Sequence, residues 1–177
     1  MKKIAYFFAV GAMSLAACSS DPAYKISGTV EGVTDGEYVY LQEGKGREWI
    51  KVDSAAVAGG AFTFNGRQDA AAYRYITYNA EGKRYRADFF LENGNIAVAL
   101  GETSTATGTP NNDLYQAYKN EAAPLNKAIA EISKKFREGN LTDEQKEELN
   151  KQYEELDNKL TALTHSTIEN NITNIVG

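Results

Sequence analysis

The two side chains best suited to nucleophilic or metal chemistry each occur once in the 177 residues: Cys18 and His165. A lone thiol can be a nucleophile, a metal ligand, half of an intermolecular disulfide, a buried filler or a lipid attachment point. It cannot build an internal disulfide framework, a CxxC redox pair or a thiolate zinc site. One histidine likewise excludes His-rich metal constellations, and His165 has no partner of catalytic type near it in the sequence. The acids Glu144, Glu147, Glu148, Glu154, Glu155 and Asp157 interleave with Lys146 and Lys151 at helical spacing. That is the pattern of a solvated helix face laced with i,i+4 pairs. No GxSxG, P-loop, HExxH or GxGxxG pattern occurs. The expectation is therefore no catalytic residue, no metal and no cofactor.

The surroundings of Cys18 choose among its roles. The chain opens Met1-Lys2-Lys3, and an apolar run follows from Ile4 to Ala17. The run falls short of the ~20 residues that span a bilayer and fits the apolar region of a secretory signal. It ends in Leu15-Ala16-Ala17-Cys18, which resembles the bacterial lipobox. The resemblance implies diacylation of the Cys18 thiol, cleavage before Cys18 and acylation of the new amine. Acyl chains contribute ~0.8 kcal/mol per buried methylene, so several on one residue make a durable membrane anchor. The expected layout is a signal peptide over 1–17 and a lipidated tether over 18–23. Ser19 occupies the place where many such lipoproteins carry an inner-membrane retention aspartate. The expected location is the cell envelope, with the outer membrane favoured over the inner.

The charge balance removes another class. The formal net charge is −5, with 19 basic residues spread along the chain. No basic face is available to neutralise phosphates, so nucleic acid is not expected as a partner. A hydrophobic content of 42% is enough to build a packed core.

The elements that must position any site change character near residue 100. From 24 to 100 short alternating segments dominate: "YKISGTVEG", "GEYVYLQEG", "EWIKVDSAAV", "AFTFNG", "YRYITYN" and "RYRADFFLENGNIAVAL". Turn signals separate them at Thr34-Asp35-Gly36, Gly44 to Gly46, Gly59-Gly60, Glu81-Gly82 and Asn93-Gly94; the first and the last read as hairpin turns, the last most strongly. Seven or eight strands without intervening helices predict an antiparallel β-sandwich or open barrel. Residues 101–112, small and polar with Pro110, read as a linker. Residues 113–177 read as a helical hairpin. One stripe is Leu114, Tyr118, Ala122, Leu125, Ile129, Ile132 and Phe136; the other is Leu149, Tyr153, Leu156, Leu160, Leu163 and Thr167. Asn112 is expected to cap the first helix, Pro124 to kink or restart it, and Gly139 to end it. Thr142 and Gln145 form a capping box for the second. The predicted class is mainly β with an α extension: an antiparallel sandwich followed by a two-helix hairpin. Two stripes alone are a marginal core, so a third packing partner is expected.

Tyrosines are abundant in the β region. They are read first as strand formers covering a half-buried face, and Trp49 is read first as a core residue. The alternative is a ligand face of Tyr73, Tyr75 and Tyr78 that stacks on a glycan or peptide.

The order of the pieces resembles a known family. "VDSAAVAGGAFTFNG", "FFLENGNIAVAL" and "GTPNNDLYQAY" are similar to the β-rich N-terminal domain of unknown function of Bacteroidetes lipoproteins. In those proteins it precedes a thioredoxin-like domain of the alkyl hydroperoxide reductase/thiol-specific antioxidant type, and such proteins are described as thiol:disulfide interchange proteins. The similarity runs from Tyr24 to about Tyr118. No position matches the family's active-site cysteine pair, so no redox residue is carried over. The resemblance implies a non-catalytic scaffold or interaction module, held to the membrane by lipid and paired with a protein partner such as a thioredoxin-like domain.

Overall fold

A computed structural model describes residues 23–80, 82–171, 173, 175 and 176. The expected signal peptide and most of the tether lie outside these residues. Alternation produces the strands. In β1 (Tyr24–Val30) every second residue is buried, which sends Tyr24, Ile26 and Val30 to one face. The same rule shapes β2 (Tyr38–Lys45); β3 (Glu48–Ala56) buries none of its residues, and alternation returns in β4 (Ala61–Gly66), β5 (Ala72–Ala80), β6 (Lys83–Leu91) and β7 (Gly94–Leu100). A three-residue strand, β8 (Thr105–Thr107), lies inside the stretch expected to be linker.

Among the described residues eight strands make two four-stranded sheets, ordered β4-β1-β7-β8 and β3-β2-β5-β6. Ile26, Phe64, Ile96 and Val98 of one sheet meet Leu41, Ile76, Ala87 and Phe89 of the other in a single core. Burying each large side chain contributes roughly 1.5–3 kcal/mol relative to exposure. The expected sandwich is present, with one pairing of opposite sense: β1 and β7 run parallel, Ile26 beside Ile96.

The turn signals divide into two kinds. Gly46 and Gly82 close hairpins between paired strands, β2 with β3 and β5 with β6. Asp35-Gly36 and Asn93-Gly94 instead carry the chain from one sheet to the other, so neither is a hairpin turn. Their polar side chains pin distant loops. Asp35 accepts from Gly59 N at 2.7 Å, and Asn93 accepts from Gln68 N and donates to Gln68 O.

Helix α1 (Pro110–Glu138) follows, and its N-terminal end seals one open side of the sandwich. Asn112 is fully buried there and does not cap the helix; Thr109 holds the cap position. The Asn112 amide accepts from Phe90 N at 2.8 Å and donates to Phe90 O at 2.7 Å. It thus occupies the edge of β6 as a neighbouring strand would. Gln116, one turn on, accepts from Ala106 N at 3.1 Å on the edge strand of the other sheet. Two amides on one helix thereby bond to one edge strand of each sheet, β6 at Phe90 and β8 at Ala106, where unpaired backbone would otherwise be open to another chain. On the far side, β3 is an exposed edge blunted by Lys51 and by a bulge where Gln42 pairs Lys51 and Leu41 pairs Asp53.

Pro124 does not restart α1, which runs unbroken for 29 residues. The proline is exposed, where water can satisfy the Asn120 carbonyl that loses its donor. Helix α2 (Asp143–Asn170) starts at the expected capping box: Gln145 N donates to Thr142 Oγ1, and Thr142 N to Gln145 Oε1. It packs along α1 and makes no substantial contact with either sheet.

Candidate functional site

The outer face of the β3-β2-β5-β6 sheet gathers the polar and aromatic side chains that the core excludes. Side chains alternate along a strand, so Tyr73 and Tyr75 of β5 point outward with Phe90 and Asp88, their partners on β6. Tyr115 and Lys119, one turn apart on α1, reach this face because the Asn112 and Gln116 contacts hold the helix there.

Asp88 is the centre of the cluster. Its Oδ2 accepts from Tyr115 at 2.8 Å and from Tyr73 at 3.0 Å, and the two phenol oxygens lie 3.1 Å apart. Lys119 Nζ stands 3.8 Å from the same carboxylate and donates to the Asp88 carbonyl at 3.1 Å. The ammonium also sits 4.6 Å from the centre of the Tyr115 ring. Burial opposes the Asp88 charge, but the Tyr115 hydrogen bond, the Lys119 charge and the Tyr73 hydrogen bond outweigh it and hold its pKa below the usual value. Burial, the bond to Tyr115 and the nearby carboxylate push the Tyr73 phenol well up. Burial and Asp88 raise Tyr115 to about 12, against the opposing effect of the bond with Tyr73. Burial lowers Lys119, with Asp88 opposing. A phenol that grips its proton is a poor general base, and a carboxylate held ionised is a poor general acid. The cluster is a strut that ties α1 to the sheet.

From the strut an aromatic row crosses the face. Ring centres are 6.4 Å apart for Tyr115–Tyr118, 5.4 Å for Phe90–Tyr115 and for Tyr73–Phe90, 5.2 Å for Tyr73–Tyr75 and 4.5 Å for Trp49–Tyr75. Trp49 reaches Tyr75 over Gly44, where even a Cβ would stand 3.3 Å from the Tyr75 ring. Arg86 lies 5.7 Å from the Tyr75 ring centre and Lys51 5.3 Å from that of Tyr40.

A family model described as a domain of unknown function (DUF4369) matches residues 24–115. The chain belongs to that family. No curated protein and no solved structure matches it. The DUF4369 span takes in both sheets and the first turn of α1, and it ends on Tyr115, a donor to Asp88.

Within the DUF4369 domain, the three tyrosines expected on one face divide. Tyr73 and Tyr75 are on the outer row. Tyr78 is an odd number of residues from both, so its side chain enters the core, 5% exposed, with its hydroxyl bonded to the Glu37 carboxylate. That bond, then burial, raises the Tyr78 phenol to about 12. Trp49, expected in the core, is 49% exposed on the outer face. Cys18 and the lipobox residues Leu15, Ala16 and Ala17 lie outside the described residues. Among the described residues no group of three His, Cys, Asp or Glu is placed to hold a metal ion, and no helix is long and apolar enough to cross a membrane. Asp88, Tyr115 and Lys119 had escaped the sequence reading. The available signal was an aspartate on the same strand face as Phe90 and a Tyr/Lys pair four apart on the first helix.

Proposed function

We propose that this DUF4369 chain is a non-catalytic, lipid-anchored module of the cell envelope that holds a protein partner near the membrane. The observation that carries the reading is the helical hairpin. Because α2 packs on α1 alone, Phe136, Tyr153 and Ile168 remain about two-fifths exposed. Near the distal end a groove of about 400 Å³ runs between Ile132, Phe136, Arg137, Asn150 and Tyr153. Two apolar stripes in need of a third surface suit a partner protein. The family resemblance supports a thioredoxin-like domain as that partner, the lipobox supports Cys18 as the anchor, and Ser19 after it supports outer-membrane placement.

A photo-crosslinking residue at Tyr153 in cells tests the arm. The expected result is a discrete adduct with a thioredoxin-like protein, absent when the probe replaces the solvent-facing Lys151. Identical labelling from both positions counts against the reading. Metabolic labelling with a clickable fatty acid tests the anchor: label on the wild type and none on Cys18→Ser is expected.

A second reading, a surface lipoprotein that binds glycan or peptide, is favoured by one observation. Trp49, half-exposed and braced edge-on by the partly buried Tyr75, offers a flat apolar ring to a ligand.

A further inference from the structure

A groove of about 670 Å³ lies at the Trp49 end of the aromatic row, where Trp49, Thr77, Asn79, Arg84 and Arg86 of one sheet meet Gly101 and Glu102 of the loop after β7. We propose that this groove binds an acidic oligosaccharide, with Trp49 stacking on a sugar ring and Arg84 and Arg86 taking a uronate carboxylate. The proposal rests on the second reading above and adds to it the site and the ligand's charge.

Two observations carry it. First, Arg84 and Arg86 are exposed, and among the described residues no carboxylate lies within ion-pair distance of either. The other arginine on β5 and β6, Arg74, is paired with Glu43 at 3.3 Å. In a chain of net charge −5, two unpaired guanidiniums side by side on one face are a local excess of the opposite sign. A guanidinium fork matches a carboxylate with two hydrogen bonds.

Second, the aromatic surface is flat, exposed and braced. Trp49 is half-exposed, set edge-on to Tyr75 at 4.5 Å, and Arg86 covers the Tyr75 ring. An indole held this way presents apolar area at little entropic cost, as the C–H face of a pyranose requires. Thr77, Asn79 and Glu102 surround it with hydroxyl, amide and carboxylate groups that suit sugar hydroxyls.

Titration calorimetry of the full-length protein in detergent, against a panel of uronate oligosaccharides and their methyl esters, tests this. One acidic backbone is expected to bind, with its neutral ester at least about tenfold weaker. Trp49→Ala should weaken binding by about tenfold or more while Trp49→Phe retains most of it. Arg84→Gln with Arg86→Gln should abolish the preference for acid over ester, and Tyr153→Ala on the hairpin should change nothing. Circular dichroism of each variant confirms the fold. Equal binding of acid and ester would overturn the proposed charge selectivity and leave the carbohydrate reading standing. Equal binding of poly-glutamate would overturn the sugar assignment in favour of an acidic peptide. No binding to any member of the panel, charged or neutral, overturns the proposal and the glycan reading together.

Discussion

The side-chain amide of Asn112 forms both hydrogen bonds that a neighbouring strand would offer Phe90, one to its N–H at 2.8 Å and one to its carbonyl at 2.7 Å. The helix is thus attached to the sheet by backbone recognition as well as by packing. Replacing Asn112 by alanine leaves a buried donor and a buried acceptor without partners. The expected loss is about 3 kcal/mol, because an unsatisfied buried group costs about 1–3 kcal/mol. Asn112→Asp keeps an acceptor for Phe90 N but sets a carboxylate oxygen against Phe90 O, so it should be at least as damaging. Chemical denaturation measures both, and a loss below about 1 kcal/mol for Asn112→Ala would contradict the assignment.

Asp88 makes folding sensitive to acid. Its folded pKa is lowered because hydrogen bonds from Tyr115 and Tyr73 and the Lys119 charge together outweigh burial. A carboxylate of this kind contributes stability above its unfolded pKa, ~3.9, and that contribution is lost as pH falls through the folded value. Asp88→Asn should cost about 1.5–3 kcal/mol at neutral pH, the range for hydrogen bonds to a charged group. It should also flatten the decline in stability below pH ~4. Parallel curves for variant and wild type through that range would show that Asp88 is not the titrating group.

Which parts of this architecture could be read from the residues follows from the range of the forces involved. The α2 stripe was legible because Leu149, Leu156, Leu160 and Leu163 obey a local period, and each is buried or half-buried. The Thr142–Gln145 box was legible because it closes within four residues. Partner choice was not. Asn93-Gly94 has hairpin chemistry, yet a turn specifies a reversal and not the strand that will lie alongside; here β7 pairs with β1, about 70 positions earlier. Asn112 looked like a cap because it precedes an apolar period, whereas its partner Phe90 is 22 residues away. Strand β8 was invisible as three residues, Thr105 to Thr107, in a polar stretch. In the candidate site, Tyr78 was misplaced by parity alone. Trp49 was misplaced because type suggests burial and only register reveals the outer face.

Alkali should distinguish four tyrosines from the ordinary phenol range. Tyr24, Tyr73, Tyr78 and Tyr115 all have pKa values raised above 10, with Tyr78 and Tyr115 at about 12. Their contribution to stability is full below the ordinary pKa of ~10 and is lost as pH rises through the folded values. A spectrophotometric titration of phenolate should therefore show a late step near pH 12, coincident with unfolding. Tyr115→Phe should shrink that step without altering the earlier part of the curve. A single transition near pH 10 that involves every tyrosine would contradict the hydrogen-bonding scheme.

Two glycines in the β1–β4 ladder are covered by aromatic rings directly across from them: Gly28 opposite Phe62, and Gly66 opposite Tyr24. A Cβ at Gly28 would stand 2.0 Å from the Phe62 ring; one at Gly66 would stand 2.4 Å from the Tyr24 hydroxyl. Neither glycine has a positive φ, so the demand is for space and not for an unusual backbone. Rings laid over cross-strand glycines fix register, since a slip of one residue would set each ring against a side chain. Phe62 is 4% exposed and has nowhere to retreat, while the Tyr24 hydroxyl is the far end of its side chain. Gly28→Ala should therefore be the more damaging of the two, at about 3 kcal/mol, the upper end for overpacking a tight core. The decisive measurement is a double-mutant cycle with Phe62→Leu. If the ring is the obstacle, the pair should cost less than the two single changes added together, by about 1 kcal/mol or more. Strict additivity would mean that Gly28 is required for some other reason, and the ring-over-glycine account of the β1–β4 register would fail.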